Sequence, residues 1–135
     1  MKIGILETGF APEELRDDFA SYPGMLEKLL GDVDPSLEFE TWTVLENVFP
    51  ASISDADGWV IMGSKHGVYE NAPWMIRLQE FLREAVGAGQ PVFGICFGHQ
   101  ILATALGGKV VKSDKGWGVG AHEYAVDASN SDWLS

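Results

Sequence analysis

Apolar and polar residues come in blocks along this chain, and the block lengths predict its elements. Residues 2–6, KIGIL, are an apolar run rich in β-branched side chains, the pattern of a buried first strand. In 11–31, Leu15, Phe19, Met25, Leu26, Leu29 and Leu30 recur at helical spacing. Tyr22–Pro23–Gly24 interrupts them, which predicts two helical pieces with a break, the second stopped by Gly31. Residues 37–44, LEFETWTV, alternate apolar and polar and predict a strand near a sheet edge. The turn cluster SDAD leads into a strand GWVIM, which ends in Gly63–Ser64. Asn71 and Pro73 open a helix over WMIRLQEFLREAV, with Trp74, Leu78, Phe81, Leu82 and Ala85 as its apolar stripe. GAGQP stops it, and PVFGI at 91–95 predicts a strand. After Cys96 a helix runs to ALGG, where Gly107 suits a left-handed C-terminal position. KVVK and GVGAHEYAVD predict two more strands around the loop SDKGWG, and SNSDWLS reads as a helix start capped by Ser129 or Ser131.

This order of strands and helices is that of an α/β fold. Short strands without polar alternation predict a mostly parallel, doubly wound sheet with helices on both faces. The length fits one domain over 1–135, with no repeat, linker or low-complexity segment.

Composition narrows the function. Hydrophobic residues make up 46% of the chain and charged residues 21%, in the range of soluble globular proteins. The formal net charge of -11 argues against a nucleic-acid partner, which needs clustered basic residues. No apolar run reaches the ~20 residues of a membrane span, so no membrane partner is expected. The opening MKIGILETGF has neither the apolar length nor the cleavage site of a signal peptide. A single cysteine permits no internal disulfide and fits a reducing compartment, so a cytoplasmic location is expected. There is no CxxC or Cys/His cluster for a metal. The glycine-rich pieces MGSKHG, LGGK and GWGVG lack P-loop order, so no cofactor is expected.

That one cysteine stands where the chemistry is. Cys96 follows an apolar strand and precedes a helix, with Gly94 and Gly98 on either side. A sharp strand-to-helix turn presents its central residue at the carboxyl end of a sheet, where open α/β sheets bind ligands. Such a turn crowds its neighbours, so glycine is favoured on both sides. The helix N-terminus stabilises negative charge and so favours a thiolate. The backbone N–H of Phe97 would face a substrate carbonyl as an oxyanion donor. Gln100 lies one helical turn beyond Cys96, placed either to face the same pocket or to make a hydrogen bond at the helix surface. A free cysteine is otherwise commonly a small buried hydrophobe, and the paired glycines are what favour the chemical role.

GICFGHQ, with its G-x-C-x-G-x-Q spacing, resembles the nucleophile motif of class I glutamine amidotransferases. GWVIMGSKHGVYE resembles that family's strand and oxyanion loop. WMIRLQEFLREAVGAGQPVFGICFGHQILATALGGKV continues the likeness, and GWGVGAHEYAV resembles the antiparallel strands that follow. The nearest subgroup is similar to the amidotransferase domain of GMP synthase, and the likeness covers nearly the whole chain. The resemblance implies a flavodoxin-like sheet with additional antiparallel strands near the C-terminus. It implies that Cys96 attacks a glutamine side-chain amide to form a glutamyl thioester. The oxyanion would be held by backbone N–H groups near Gly63, with Ser64 beside it, and at Phe97. Gln100 would help bind the amino-acid end of the substrate.

The family completes this site with a histidine and a glutamate from a C-terminal segment, and no matching segment occurs in these 135 residues. His99 belongs to the elbow helix and is expected to be structural. His66 lies in the oxyanion loop, where a solvent-facing role is expected. His122 and Glu123 are neighbours on an expected strand and would point to opposite faces, so they do not form the pair. The chain therefore reads as an N-terminal portion, truncated before the base, and is expected to be inactive alone. Three functions remain open at this point: glutamine hydrolysis that releases ammonia, hydrolysis of a γ-glutamyl peptide or amine, and a non-catalytic regulatory or binding module. The expected partners are glutamine or a γ-glutamyl compound, an ammonia-accepting synthase, and a second copy across uncovered sheet edge.

Overall fold

The computed structural model describes residues 1–15, 21–116, 118–121 and 123. Strand β1 spans Lys2–Leu6, helix α1 Tyr22–Gly31 and strand β2 Glu38–Trp42. Strand β3 spans Gly58–Ile61, helix α2 Pro73–Gly87, strand β4 Val92–Gly94 and helix α3 Phe97–Ala105. The strands form one four-stranded sheet in the order β2-β1-β3-β4, and every pairing is parallel. The chain steps outward from β1 to β2, then returns to the other side of β1 for β3 and β4. The expected α/β, doubly wound fold is therefore present, and its direction reverses between β1 and β3.

The side-chain alternation of the central strands divides the core in two. Leu6, Trp59 and Ile61 face one way and pack with Met75, Leu78, Leu82 and Ala85 of α2 and with Phe97, Ile101 and Ala105 of α3. Ile3, Ile5, Val60 and Met62 face the other way and pack with Leu26 of α1. Gly4 makes room on the first face, because a Cβ there would lie 2.2 Å from the Trp59 ring. The expected stripe of α2 is right in Leu78, Leu82 and Ala85; Met75 belongs to it as well, and Trp74 and Phe81 lie at its half-buried margins.

Two expectations are corrected. Tyr22–Pro23–Gly24 is the first turn of α1 and no break in a helix. Ser21 is extended and its hydroxyl accepts a 3.1 Å hydrogen bond from the Gly24 N–H. Proline suits that first turn because it lacks an N–H that would have no helical acceptor. Ser21→Ala is expected to cost about 1 kcal/mol, read from the midpoint of urea unfolding. The preceding helical piece is described only as a short 3-10 turn at Glu13–Leu15; its remainder lies outside the described residues.

The KVVK stretch is the second correction: residues 109–112 are no strand, and Val111 is 65% exposed. A short β-branched pair does not make a strand when no neighbour among the described residues completes its backbone ladder. Residues 118–121 likewise form none, and Val119 is 93% exposed. Glu123 is in no strand either; the rest of the expected antiparallel pair, with His122, lies outside the described residues, as does the expected helix start near Ser129 and Ser131. Among the described residues β4 is a sheet edge, covered on the α2 side only, and Phe93 on its other face is 60% exposed.

Candidate active site

Local crowding explains why the turn at Cys96 has this sequence. Gly94 ends β4 directly beneath the first turn of α3. A Cβ on Gly94 would lie 2.5 Å from the carbonyl of Gly98 and from the His99 nitrogen. A Cβ on Gly98 would lie 2.3 Å from the Ile61 carbonyl oxygen. Both approaches are to backbone, which has no rotamer by which to yield. The chain between them is pinned by Ile95 N–H to the Ile61 carbonyl at 2.9 Å and by Gly98 N–H to the Ile95 carbonyl at 2.8 Å. Cys96 is left with φ 54 and ψ -107, at the cap of α3 and exposed to solvent. A non-glycine residue at positive φ is strained, and its neighbours must hold it there. Cys96 thus stands on a tight strand-to-helix turn at the carboxyl end of the sheet.

The loop after β3 lies against this turn. A Cβ on Gly63 would be 3.9 Å from the Cys96 Cβ. Thr8, fully buried after β1, holds the loop from behind: its hydroxyl lies 2.8 Å from the Met62 carbonyl and 3.2 Å from that of Gly63. Gly9 must be small for the same packing, since a Cβ there would lie 2.9 Å from the Gly63 carbonyl and 3.0 Å from the Ser64 Cα. Ser64 Oγ accepts from the His66 N–H at 3.2 Å, which turns the loop. The structure therefore brings Gly63 to Cys96, with Ser64 next to it in the same loop. Sequence reasoning missed Thr8 and Gly9, although a Thr-Gly pair at the end of a buried strand is a signal of close approach.

Phe97 is 1% exposed, and its ring packs 5.7 Å from that of Trp74. Its N–H belongs to the first turn of α3 and meets no acceptor among the described residues, as is usual for the opening N–H groups of a helix. Gln100 follows one turn later, exposed, its N–H donating to the Cys96 carbonyl at 3.2 Å.

No histidine among the described residues makes a hydrogen bond to Cys96. His99 is exposed on α3. His66 is half-buried and held: its Nδ1 lies 2.9 Å from Glu70 Oε2, and its ring 6.1 Å from that of Trp74. Glu70 also accepts the Gly67 N–H at 2.7 Å. These bonds, the Gly67 one foremost and the His66 one second, hold the Glu70 carboxyl below its ordinary value of 4.5. The lowered value means that the bonds favour the ionised form. Their contribution to the loop is full above pH 4.5 and is lost as the pH falls through the lowered value. The Gly67 amide proton is therefore expected to show an NMR transition with its midpoint below pH 4.5, absent in Glu70→Gln. A midpoint at or above that value contradicts the assignment.

Among the described residues no cluster of side chains could hold a metal ion, and no helix is long and apolar enough to cross a membrane. The arrangement is an exposed thiol at a helix cap, with the loop at Gly63 packed against it.

Residues 15–131 match the family model "Glutamine amidotransferase class-I". Gamma-glutamyl peptidase 4 of Arabidopsis thaliana is 31% identical over 106 residues, which are 77% of this chain and 41% of that protein. Gamma-glutamyl-L-1-hydroxyisopropylamide hydrolase of a Pseudomonas species is 42% identical over 57 residues, 42% of this chain and 19% of its own length. A crystal structure of a glutamine amido transferase from Methylobacillus flagellatus superposes with a TM-score of 0.61 at 28% identity, covering 84% of this chain and 41% of that one. The chain thus spans less than half the length of each of these proteins.

Proposed function

The chain belongs to the class-I glutamine amidotransferase family, and from that membership we propose that Cys96 is the nucleophile of a γ-glutamyl amide hydrolase. The sulfur attacks the γ-carbonyl carbon, and negative charge moves to the carbonyl oxygen. The N–H groups of Phe97 and Gly63 receive that charge. The carbon–nitrogen bond breaks, the leaving nitrogen takes a proton, and a γ-glutamyl thioester remains on Cys96. Water then cleaves the thioester, releasing glutamate and restoring the thiol. Gln100 binds the amino-acid end of the substrate. The observation that carries this reading is Cys96 at φ 54 on its turn, with Gly63 beside it.

Glutamine is the simplest substrate, with ammonia leaving toward a synthase that consumes it. A γ-glutamyl peptide or amine is the second reading, favoured by the names of the two relatives above. A non-catalytic module of the same fold would keep the turn and lose turnover. Ammonia or amine release by a longer chain that carries the His–Glu segment separates the three. Release from glutamine supports the first, release from a γ-glutamyl amine the second, and neither the third.

No histidine among the described residues is hydrogen-bonded to Cys96 to carry its proton to the leaving nitrogen. Ammonia is a poor leaving group, and a positioned acid is worth about 10²–10⁴-fold. The 135-residue chain alone is therefore expected to hydrolyse glutamine slower by about that factor than a chain with the histidine in place. Equal rates would contradict a C-terminal base.

A further inference from the structure

We propose that the cavity between the loops after β1 and β3 is the subsite for the leaving-group portion of a γ-glutamyl peptide. The inference rests on the γ-glutamyl reading and names the substrate class within it. The cavity is about 630 Å³, the size of a small-ligand pocket. It sits where the sheet reverses direction, between β1 and β3, the usual crevice of an open parallel sheet.

Its first wall is continuous with the candidate site. Gly9 lines the cavity and packs against Gly63 and Ser64, and Gly63 lies against Cys96. A substrate whose carbonyl sits between Cys96 and Gly63 can therefore send its leaving group across β3 toward β1. Adjacent strands are ~4.8 Å apart, so this is a path of about two strand spacings, within reach of a dipeptide. Ammonia, the leaving group of glutamine, would fill almost none of the space.

The lining chemistry suits a peptide terminus. Lys65 and His66 stand on the side of the oxyanion loop, and Lys65 is exposed and in no ion pair among the described residues. A terminal carboxylate would meet the Lys65 ammonium there, in a charge-assisted hydrogen bond. His66 is held in place by Glu70, which keeps its ring at the cavity wall. Phe10 and Tyr22 supply aromatic surface for an apolar side chain. Glu13 and Glu14 line the β1 side and repel a second anionic group, which disfavours phosphate-rich ligands.

The test is protection of Cys96 from iodoacetamide in the 135-residue chain, with γ-glutamylglycylglycine and glutamine as the protecting compounds. The tripeptide is expected to give half-protection at a concentration about five-fold lower than glutamine, or lower still. Lys65→Ala should bring the two compounds within about two-fold of each other, and Lys65→Arg should keep most of the difference. Lys65 is exposed, so both variants are expected to fold, which circular dichroism checks. Equal protection by the two compounds, or a tripeptide advantage that survives Lys65→Ala, overturns the subsite and leaves the γ-glutamyl reading standing. Failure of both compounds to protect Cys96 overturns the γ-glutamyl reading, and the subsite with it.

Discussion

Gly98→Ala is expected to destabilise the protein by more than about 3 kcal/mol, a large part of the 5–15 kcal/mol that holds a typical domain folded. The added methyl would sit 2.3 Å from the Ile61 carbonyl oxygen and 2.8 Å from the Ile61 carbonyl carbon. Relief requires α3 to lift from β3. That movement would strip Phe97 and Ile101 from the larger core and release the Gly98 N–H from Ile95. Gly107→Ala is the control. Gly107 has φ 91, but no atom lies within 4 Å of a Cβ there, so its cost is the left-handed backbone alone, about 1–2 kcal/mol. Urea unfolding monitored by tryptophan fluorescence reads both. A Gly98→Ala midpoint no lower than that of Gly107→Ala would mean that the turn is looser than its contacts indicate.

Cys96→Ala is expected to lower turnover of any γ-glutamyl substrate by about 10⁴-fold or more in a chain that carries the family's base, the scale seen when other hydrolases lose their nucleophile. Its effect on stability should be small. Cys96 is exposed, and its side chain fills no core space. Alanine at φ 54 carries strain of the same kind as cysteine. The contrast between the two variants is informative: Gly98→Ala damages the fold and activity together, whereas Cys96→Ala removes activity from a folded protein.

The contrast also shows what the sequence made legible. Gly94, Cys96 and Gly98 are read directly because their constraint is local: one turn, five consecutive positions, and a cysteine that neither a disulfide nor a metal explains. The central strands were legible because burial on both faces leaves no room for polar residues. Thr8 was not. Its role is to hold the loop after β3, and its partner Met62 lies 54 positions away. The His66–Glu70 pair has helical spacing in a segment that is a 3-10 turn and loop, so periodicity carried no hint of it. Tyr22–Pro23–Gly24 misled because proline both breaks a helix and begins one, and the extended Ser21 before it decides which. KVVK misled because a strand is defined by its neighbour, and two adjacent valines say nothing of a neighbour.

The most direct test of the account is to trap the thioester. With γ-glutamyl-p-nitroanilide the leaving amine is weakly basic and needs little help from an acid, so the 135-residue chain should be competent for the first step alone. Sulfur displaces p-nitroaniline from the γ-carbonyl carbon, and a γ-glutamyl group stays on the protein. Intact-protein mass spectrometry after acid quench, followed by peptide mapping, reads that group. The account predicts one γ-glutamyl group per chain, located at Cys96 and absent from Cys96→Ala. A chain that releases p-nitroaniline with no adduct at Cys96, or a Cys96→Ala variant that acquires the same adduct, would contradict it.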